Sequence, residues 1–305
     1  MDKNVNNYFI KFVSAKIGIG INVWNGERTI KRVLDSLIKQ TYKNFTIYIL
    51  DNKSTDDTVN IIKKIKKIKN KIKLIIDKKN RDIPSSQRIL VNKFLIRHKY
   101  SMIVNDDDFY HPQFIKECLN IFKNKNIDMV YCLYKIFDDK KIYNTRNYPV
   151  YNTKNGKFVN IINFLIYRNI VPIIFGLYKT TTLHNSFKNY QPISGSKFNY
   201  DNQFMLHYIS NNNIECIKKK LFFYYKKNRS NVKNNKIKLI YNDYNSLTLI
   251  YLYQFILLKK FLKLFLKNIN FNISQKFIII LLSIFIYVQK TTTYVIRFII
   301  KKLFN

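Results

Sequence analysis

Ser101-Met102-Ile103-Val104-Asn105-Asp106-Asp107-Asp108-Phe109-Tyr110-His111-Pro112 is a short apolar run that ends in three consecutive carboxylates. Met102 to Val104 has the length and bulk of a buried strand, and the proline behind the aromatic pair marks the turn that follows. Three adjacent carboxylates repel one another, so a strand end that carries them calls for something to neutralise them. A hard divalent cation is the natural partner: Mg²⁺ or Mn²⁺ takes oxygen ligands and keeps positions open for substrate phosphates. The alternative, from these residues alone, is an acidic turn that caps the next helix, because Asp is a good N-cap and favours turns.

The residues upstream weigh on that choice. Lys16 to Asn25 alternates Ile with Gly and reads as a buried first strand, closed by the turn Asn25-Gly26. Glu27 to Gln40 places Ile30, Val33, Leu34, Leu37 and Ile38 at spacings of three and four, which predicts an amphipathic helix. Phe45 to Leu50 is a second strand ending at Asp51, and the polar turn Asp51 to Thr58 opens a helix to about Lys69. Lys73 to Ile76 is a third strand, Ser85 to His98 a helix and Ser101 to Val104 a fourth strand. Strands alternating with helices argue a parallel α/β sheet, in which ligands bind outside the carboxyl ends of the strands. Asn22 to Asn25, Asp51 to Asp57 and Asp106 to Asp108 all fall at those ends, and this convergence favours a site over unrelated turns.

The chain of 305 residues carries 54 Lys and Arg against 18 Asp and Glu, a formal charge of +36. Such a balance suits nucleic acid or another polyanion. It is discounted in part, because Lys, Asn and Ile are abundant together while Ala and Gly are scarce, a pattern of general compositional drift. No nucleic-acid partner is expected; a basic polyanion-binding α/β protein stays as an alternative, although it gives no reason for carboxylates to gather at strand ends. Cys118, Cys132 and Cys216 are widely spaced and odd in number, which argues against zinc and for a reducing compartment. Met1 to Lys16 lacks the apolar core of a signal peptide, so a cytoplasmic location is expected. His111 and His207 read as packing or cap residues, since no second His sits at metal spacing. The run Lys63 to Lys73, interleaved with Ile, reads as the solvated face of a helix.

Three stretches resemble family-2 glycosyltransferases, inverting enzymes with the GT-A fold: Ile21 to Asn25, Leu37 to Phe45 and Asp51 to Thr58. The resemblance continues through the acidic cluster and Pro112, over roughly residues 16 to 115. A weaker match runs from Ile173 to Ser230, with Gly176-Leu177-Tyr178-Lys179 ahead of Tyr200-Asp201-Asn202-Gln203. It implies a Rossmann-like nucleotide-diphospho-sugar transferase fold in 1–235, with a nucleotide-sugar-binding half (16–115) and an acceptor half (116–235). By resemblance, Asn22 and Trp24 meet the nucleotide, and Asp51 contacts the base with Asn52 beside it where many members have an acid. Glu27, Gln87 and Arg88 are candidates for lining the same pocket, ordinary surface roles being the alternative. The family's DxD signature falls on Asn105 and Asp107 or on Asp106 and Asp108. The distance to Pro112 favours Asp107 as ligand of Mn²⁺ or Mg²⁺, with Asp108 and Asp106 supporting. Asp201 matches the catalytic base; without the resemblance it reads as a helix cap. Asn52 and Asn105 depart from the commonest form and leave an inactive scaffold as a second alternative.

The implied reaction moves a sugar from a nucleotide-diphosphate donor to a hydroxyl on a glycan or glycolipid acceptor, as in cell-surface polysaccharide synthesis. Negative charge builds on the leaving diphosphate, where a cation offsets it, and a separate carboxylate takes the acceptor proton on the opposite face. Residues 236–305 form a basic-apolar helical extension. Leu247 to Phe265, Phe277 to Val288 and Tyr294 to Phe304 mix Lys and Arg with aliphatic and aromatic residues. The 12-residue run from Phe277 to Val288 is too short to span a bilayer, which needs about 20. A helix lying on anionic lipid at the inner face of the membrane is the expectation, with packing on the domain or a second subunit as the alternative.

Overall fold

β1 (Ile17–Val23) is covered on both faces, and its alternation explains how. Ile17, Ile19 and Ile21 are fully buried on one side. On the other side, Gly18 lets a neighbouring segment press in: a methyl group there would lie 2.6 Å from the His98 ring. The computed structural model describes residues 17–65, 69–124, 126–143, 150–167, 173–189, 200–226, 271–285 and 287–288. In it β1 joins β2 (Phe45–Asp51), β3 (Ile72–Ile76) and β4 (Tyr100–Asn105) in a parallel block of order β3-β2-β1-β4.

The crossover elements are α1 (Ile30–Ile38), α2 (Thr58–Lys64) and α3 (Ile83–Ile89). α1 buries Ile30, Val33, Leu34 and Leu37, the stripe its spacing predicts. α2 stops at Lys64, short of the expected Lys69; Ile65 is extended, and Lys69–Lys71 forms a tight turn before β3. α3 starts earlier than Ser85, because the Asp82 side chain accepts from Ser85 N at 2.8 Å and caps the helix. Its continuation is not regular: a wide turn at Leu90–Phe94 and a tight one at Leu95–Arg97 follow. The wide turn adds a residue per turn, which brings Leu90, Val91 and Leu95 together into the core over the glycine face of β1.

Beyond the parallel block the sheet continues through residues whose pattern was not read as strands. The elements are β5 (Phe109–Tyr110), α4 (Phe114–Ile121), β6 (Met129–Phe137), β7 (Ile142–Tyr143), α5 (Gly156–Tyr167), β8 (Leu177–Lys179), α6 (Thr180–Asn189), α7 (Tyr200–Asn211) and β9 (Ile214–Tyr225). The full order is β3-β2-β1-β4-β8-β6-β9-β5, with β7 on β6. The short β8 runs antiparallel to both β4 and β6 and joins the two halves into one sheet. The long ladders, including β6 with β9, are parallel. Aromatic rings fill the second half: Phe187 meets Phe204 at 4.5 Å, and Tyr178 meets Tyr208 edge-on at 5.2 Å. Burying each such side chain contributes about 1.5–3 kcal/mol. Cys118, Cys132 and Cys216 lie inside this core, and burial pushes all three thiols up.

A further helix covers 273–285. Ile279 and Ser283 are buried, whereas Ile273, Phe277, Leu281 and Phe285 face outward. No helix among the described residues is long and apolar enough to cross a membrane. The expectations for Met1 to Lys16, Leu247 to Phe265 and Tyr294 to Phe304 lie outside the described residues.

Candidate active site

Strand register sets the site. Asn22 in β1 stands opposite Leu50 in β2 and Asn105 in β4, and Val23 stands opposite Asp51. The carboxyl ends of three parallel strands are therefore level, where open α/β sheets bind ligands. Asp51 is fully buried; its Oδ1 accepts from Ser54 N at 3.0 Å, while its Oδ2 has no partner. A buried carboxylate oxygen without a donor is costly, and a ligand N–H would relieve it. Asn52 Nδ2 donates to Asn22 Oδ1 at 2.7 Å, and Ser86 Oγ donates to Asn52 Oδ1 at 3.0 Å. Asn52 is thus a buried bridge between β1 and α3 rather than an exposed contact. Gln87 beside it is buried, and its Oε1 has no partner. Trp24 is 46% exposed at the mouth of the same corner.

The loops after β1 and β2 are clipped together. Asn25 takes a left-handed φ of 51°, donates its N–H to Ser54 Oγ at 2.9 Å and accepts from Thr55 N at 2.8 Å. Gly26 N donates to Thr58 Oγ1 at 2.8 Å. Glu27 N donates to Asp56 Oδ2 at 3.1 Å, and Asp57 N returns a bond to Glu27 Oε2 at 3.2 Å. The Glu27 carboxylate, expected at the nucleotide, is taken up by this clip. Gly26 is needed for close approach: a methyl group would sit 2.7 Å from Val23 Cγ2 and 3.1 Å from Asp106 Oδ2. Asp106 therefore leans over the β1 loop and brings the acidic turn to it.

Within that turn the three carboxylates differ. Asp108 is fully buried; its Oδ1 accepts from Tyr225 N at 2.8 Å and its Oδ2 from Asn105 Nδ2 at 3.2 Å. Burial, with the Asp107 charge adding to it, pushes its carboxyl well up, and those two donors oppose the shift. Asp108, expected as a metal ligand, faces inward and ties the turn to the end of β9. Asp107 is 8% exposed, and its carbonyl accepts from Arg32 Nη2 at 2.8 Å. Among the described residues no group of three or more His, Cys, Asp or Glu could hold a metal alone. One or two carboxylates plus substrate phosphate oxygens suit Mg²⁺ or Mn²⁺ without such a cage, so Asp107 and Asp106 fit that donor set. Gln40 holds the far side of the turn: its Nε2 donates to His111 O at 2.8 Å and its Oε1 accepts from Ile115 N at 3.1 Å. His111 caps locally, with its Nδ1 accepting from Gln113 N at 3.3 Å.

Asp201 lies in the first turn of α7. Burial alone pushes its carboxyl up to about 6, and no donor among the described residues reaches it. Below it on the same helix, burial lowers the His207 imidazole. Ser54, Thr58, Ser86 and Gln40 were not singled out from the sequence, nor was Arg32. Their spacing carries no signal, because each acts on a residue far along the chain.

The family model "Glycosyl transferase family 2" matches residues 19–182, more than half of the chain. The chain is 29% identical over 141 residues to the bifunctional glycosyltransferase pgtA of Dictyostelium discoideum, covering 43% of this chain and 18% of that protein. It is 30% identical over 139 residues to the chondroitin synthase of Escherichia coli, covering 45% and 20%. The chain thus spans a minor part of either relative's length. The Staphylococcus aureus TarS 1-349 structure in complex with UDP-GlcNAc superposes with a TM-score of 0.61 at 17% identity, over 86% of this chain and 69% of that one. The mannosyltransferase PcManGT from Pyrobaculum calidifontis, in complex with GDP-Man and Mn²⁺, superposes with a TM-score of 0.52 at 10% identity, over 84% and 65%. At such identities the likeness is one of fold, and the fold is the GT-A arrangement expected from the sequence. By the extent of the family match and the strand-end architecture together, the chain belongs to glycosyl transferase family 2.

Proposed function

We propose that this protein is a metal-dependent, inverting glycosyltransferase that moves a sugar from a nucleotide-diphosphate donor to a hydroxyl on a glycan or glycolipid, in cell-surface polysaccharide assembly. One observation carries the reading. An unpartnered carboxylate oxygen on Asp51 at the end of β2 and the Asp106–Asp107 pair just past β4 lie on either side of the end of β1, among the described residues. In this assignment Asp51 Oδ2 accepts an N–H of the base, while Asn22, Trp24 and Gln87 line the nucleoside. Asn52 and Glu27 support these loops instead of touching the donor. Asp107 and Asp106 hold Mn²⁺ or Mg²⁺; Asp108 is left out, because both of its oxygens accept from protein donors. The bound cation would offset negative charge on the departing diphosphate.

Asp201 is assigned the proton of the acceptor hydroxyl. With a carboxyl near 6 it is mostly ionised at neutral pH yet binds a proton more strongly than an ordinary carboxylate, the compromise a general base needs. Attack from the face opposite the diphosphate inverts the anomeric centre. We assign the donor to residues 16–115, the acceptor to 116–235 and membrane contact to 236–305. The outward row Ile273, Phe277, Leu281 and Phe285, with the net charge of +36, supports a seat on anionic lipid at the cytoplasmic face.

The test is thermal-shift screening of the full chain against uridine, guanosine, adenosine and cytidine diphosphates, with and without Mn²⁺, since ligands that bind only the folded state raise its melting temperature. A Mn²⁺-dependent rise with one of them, lost in Asp107→Ala, is expected. Sugar release from the matching nucleotide sugar should then fall in both Asp107→Ala and Asp201→Ala. Stabilisation by none of the four would remove the donor assignment. Equal turnover in all three proteins would remove the assignments of Asp107 and Asp201, and no turnover in any of them would leave an inactive scaffold.

A further inference from the structure

Arg32 is a cation in contact with the acidic turn, and it is held in an unusual way. It projects from α1, with its guanidinium carbon 4.8 Å from the centre of the Phe137 ring and 4.7 Å from that of Tyr225. Those rings stand at the last residues of β6 and β9. One in-plane nitrogen, Nη2, donates to the Asp107 carbonyl at 2.8 Å. The buried Nε finds no acceptor, and no carboxylate pairs with Arg32 among the described residues. A residue required only to pack on this pair of rings, whose centres lie 5.1 Å apart, would be cheaper as Leu or Met, because a part-buried guanidinium with no ion-pair partner is costly. The charge and the in-plane donor are therefore the features that need a reason. A planar guanidinium alone can stack on two ring faces and still donate at its edge.

The reason lies in what the turn must hold. The Asp107 carbonyl and carboxylate share one Cα, so holding the carbonyl restrains the peptide plane and with it the Cα–Cβ bond that carries the carboxylate. The same turn is gripped twice more: Tyr225 N donates to Asp108, and Phe109 stacks on Phe223 with ring centres 4.3 Å apart. We propose that Arg32 is a positioning residue that aims the Asp107 carboxylate at the cation and, through Phe137 and Tyr225, locks the metal-binding turn to the ends of β6 and β9. This inference rests on the metal assignment above.

The experiment counts free Mn²⁺ by electron paramagnetic resonance as it is titrated into the full chain with UDP or with GDP. Wild type, Asp107→Ala, Arg32→Met and Arg32→Lys are compared, and nucleotide binding without metal is measured beside each. Arg32→Met should weaken Mn²⁺ binding about tenfold, as loss of a group that orients a metal ligand does. Its metal-free nucleotide binding should stay at the wild-type value, which a merely unfolded protein could not do. Arg32→Lys, which keeps the charge but not the planar edge, should fall between the two; it decides the matter if Arg32→Met does not fold. Wild-type Mn²⁺ affinity in the folded Arg32 variants, with Asp107→Ala defective, overturns this proposal and leaves the metal assignment standing. Equal Mn²⁺ binding by wild type and Asp107→Ala overturns the assignment itself.

Discussion

Two carboxylates, the fully buried Asp108 and the partly buried Asp201, are handled in opposite ways. Both are pushed up by loss of water. Asp108 accepts a main-chain N–H on one oxygen and an amide on the other, from β9 and from its own strand end. Asp201, at the first turn of a helix, is reached by no donor among the described residues. Burial with a donor on each oxygen makes a structural carboxylate, which holds two segments together. Burial without donors makes a carboxylate with capacity in reserve for an incoming proton. Environment divides the two roles, not residue type.

The largest expected effect tests the second half of that contrast. Asp201→Asn should lower glycosyl transfer about 10³-fold, within the range a general base supplies, while binding of nucleotide and Mn²⁺ is unchanged. A loss below tenfold would return Asp201 to the role of a helix cap. Next comes the structural partner. Asp108→Ala leaves the Tyr225 N–H without its acceptor and should cost about 1–3 kcal/mol in urea unfolding. Asp108→Asn keeps an oxygen for that N–H and should cost less; if the two cost the same, the bond to β9 is not what matters.

The pH profile sharpens the comparison further. Transfer should fall on an acidic limb near pH 6, where Asp201 gains its proton, and not near the ordinary value of about 4. The same shift carries a stability cost with a definite sign. The folded chain binds the Asp201 proton more tightly than the unfolded one, so stability declines as pH rises from about 4 to about 6. Asp201→Asn should therefore raise the thermal midpoint at pH 7 and leave it unchanged at pH 4. A gain at both values would point to packing instead of charge. The smallest effect belongs to the exposed clip: Glu27→Gln should shift stability by less than about 1 kcal/mol, as exposed polar pairs do.

The parallel block was legible because its signals are local. Alternation in β1, the apolar stripe of α1 and the acids at three strand ends are each written within a dozen residues; a parallel α/β sheet follows from their order, and the resemblance to family-2 glycosyltransferases implied the GT-A form of it. The second half was less legible. β6 and β9 pair through an irregular register, and β8 is too short for periodicity to reveal. In the proposed site, Asp51, Asp107 and Asp201 were singled out from strand ends and motif, whereas the inward turn of Asp108 was not visible there. Neighbouring aspartates look alike until Tyr225 supplies an N–H to one of them.

By itself, the sequence determined the alternation of strand and helix, the family, and the gathering of carboxylates on one edge of the sheet. Each depends on spacing along the chain, which short-range geometry converts directly into position. Only the tertiary structure decided which aspartate faces inward, that Glu27 and Asn52 brace loops, and that Arg32 packs on the Phe137–Tyr225 pair. Those outcomes depend on groups brought together by sheet closure, and no local pattern encodes a partner that folding alone places nearby.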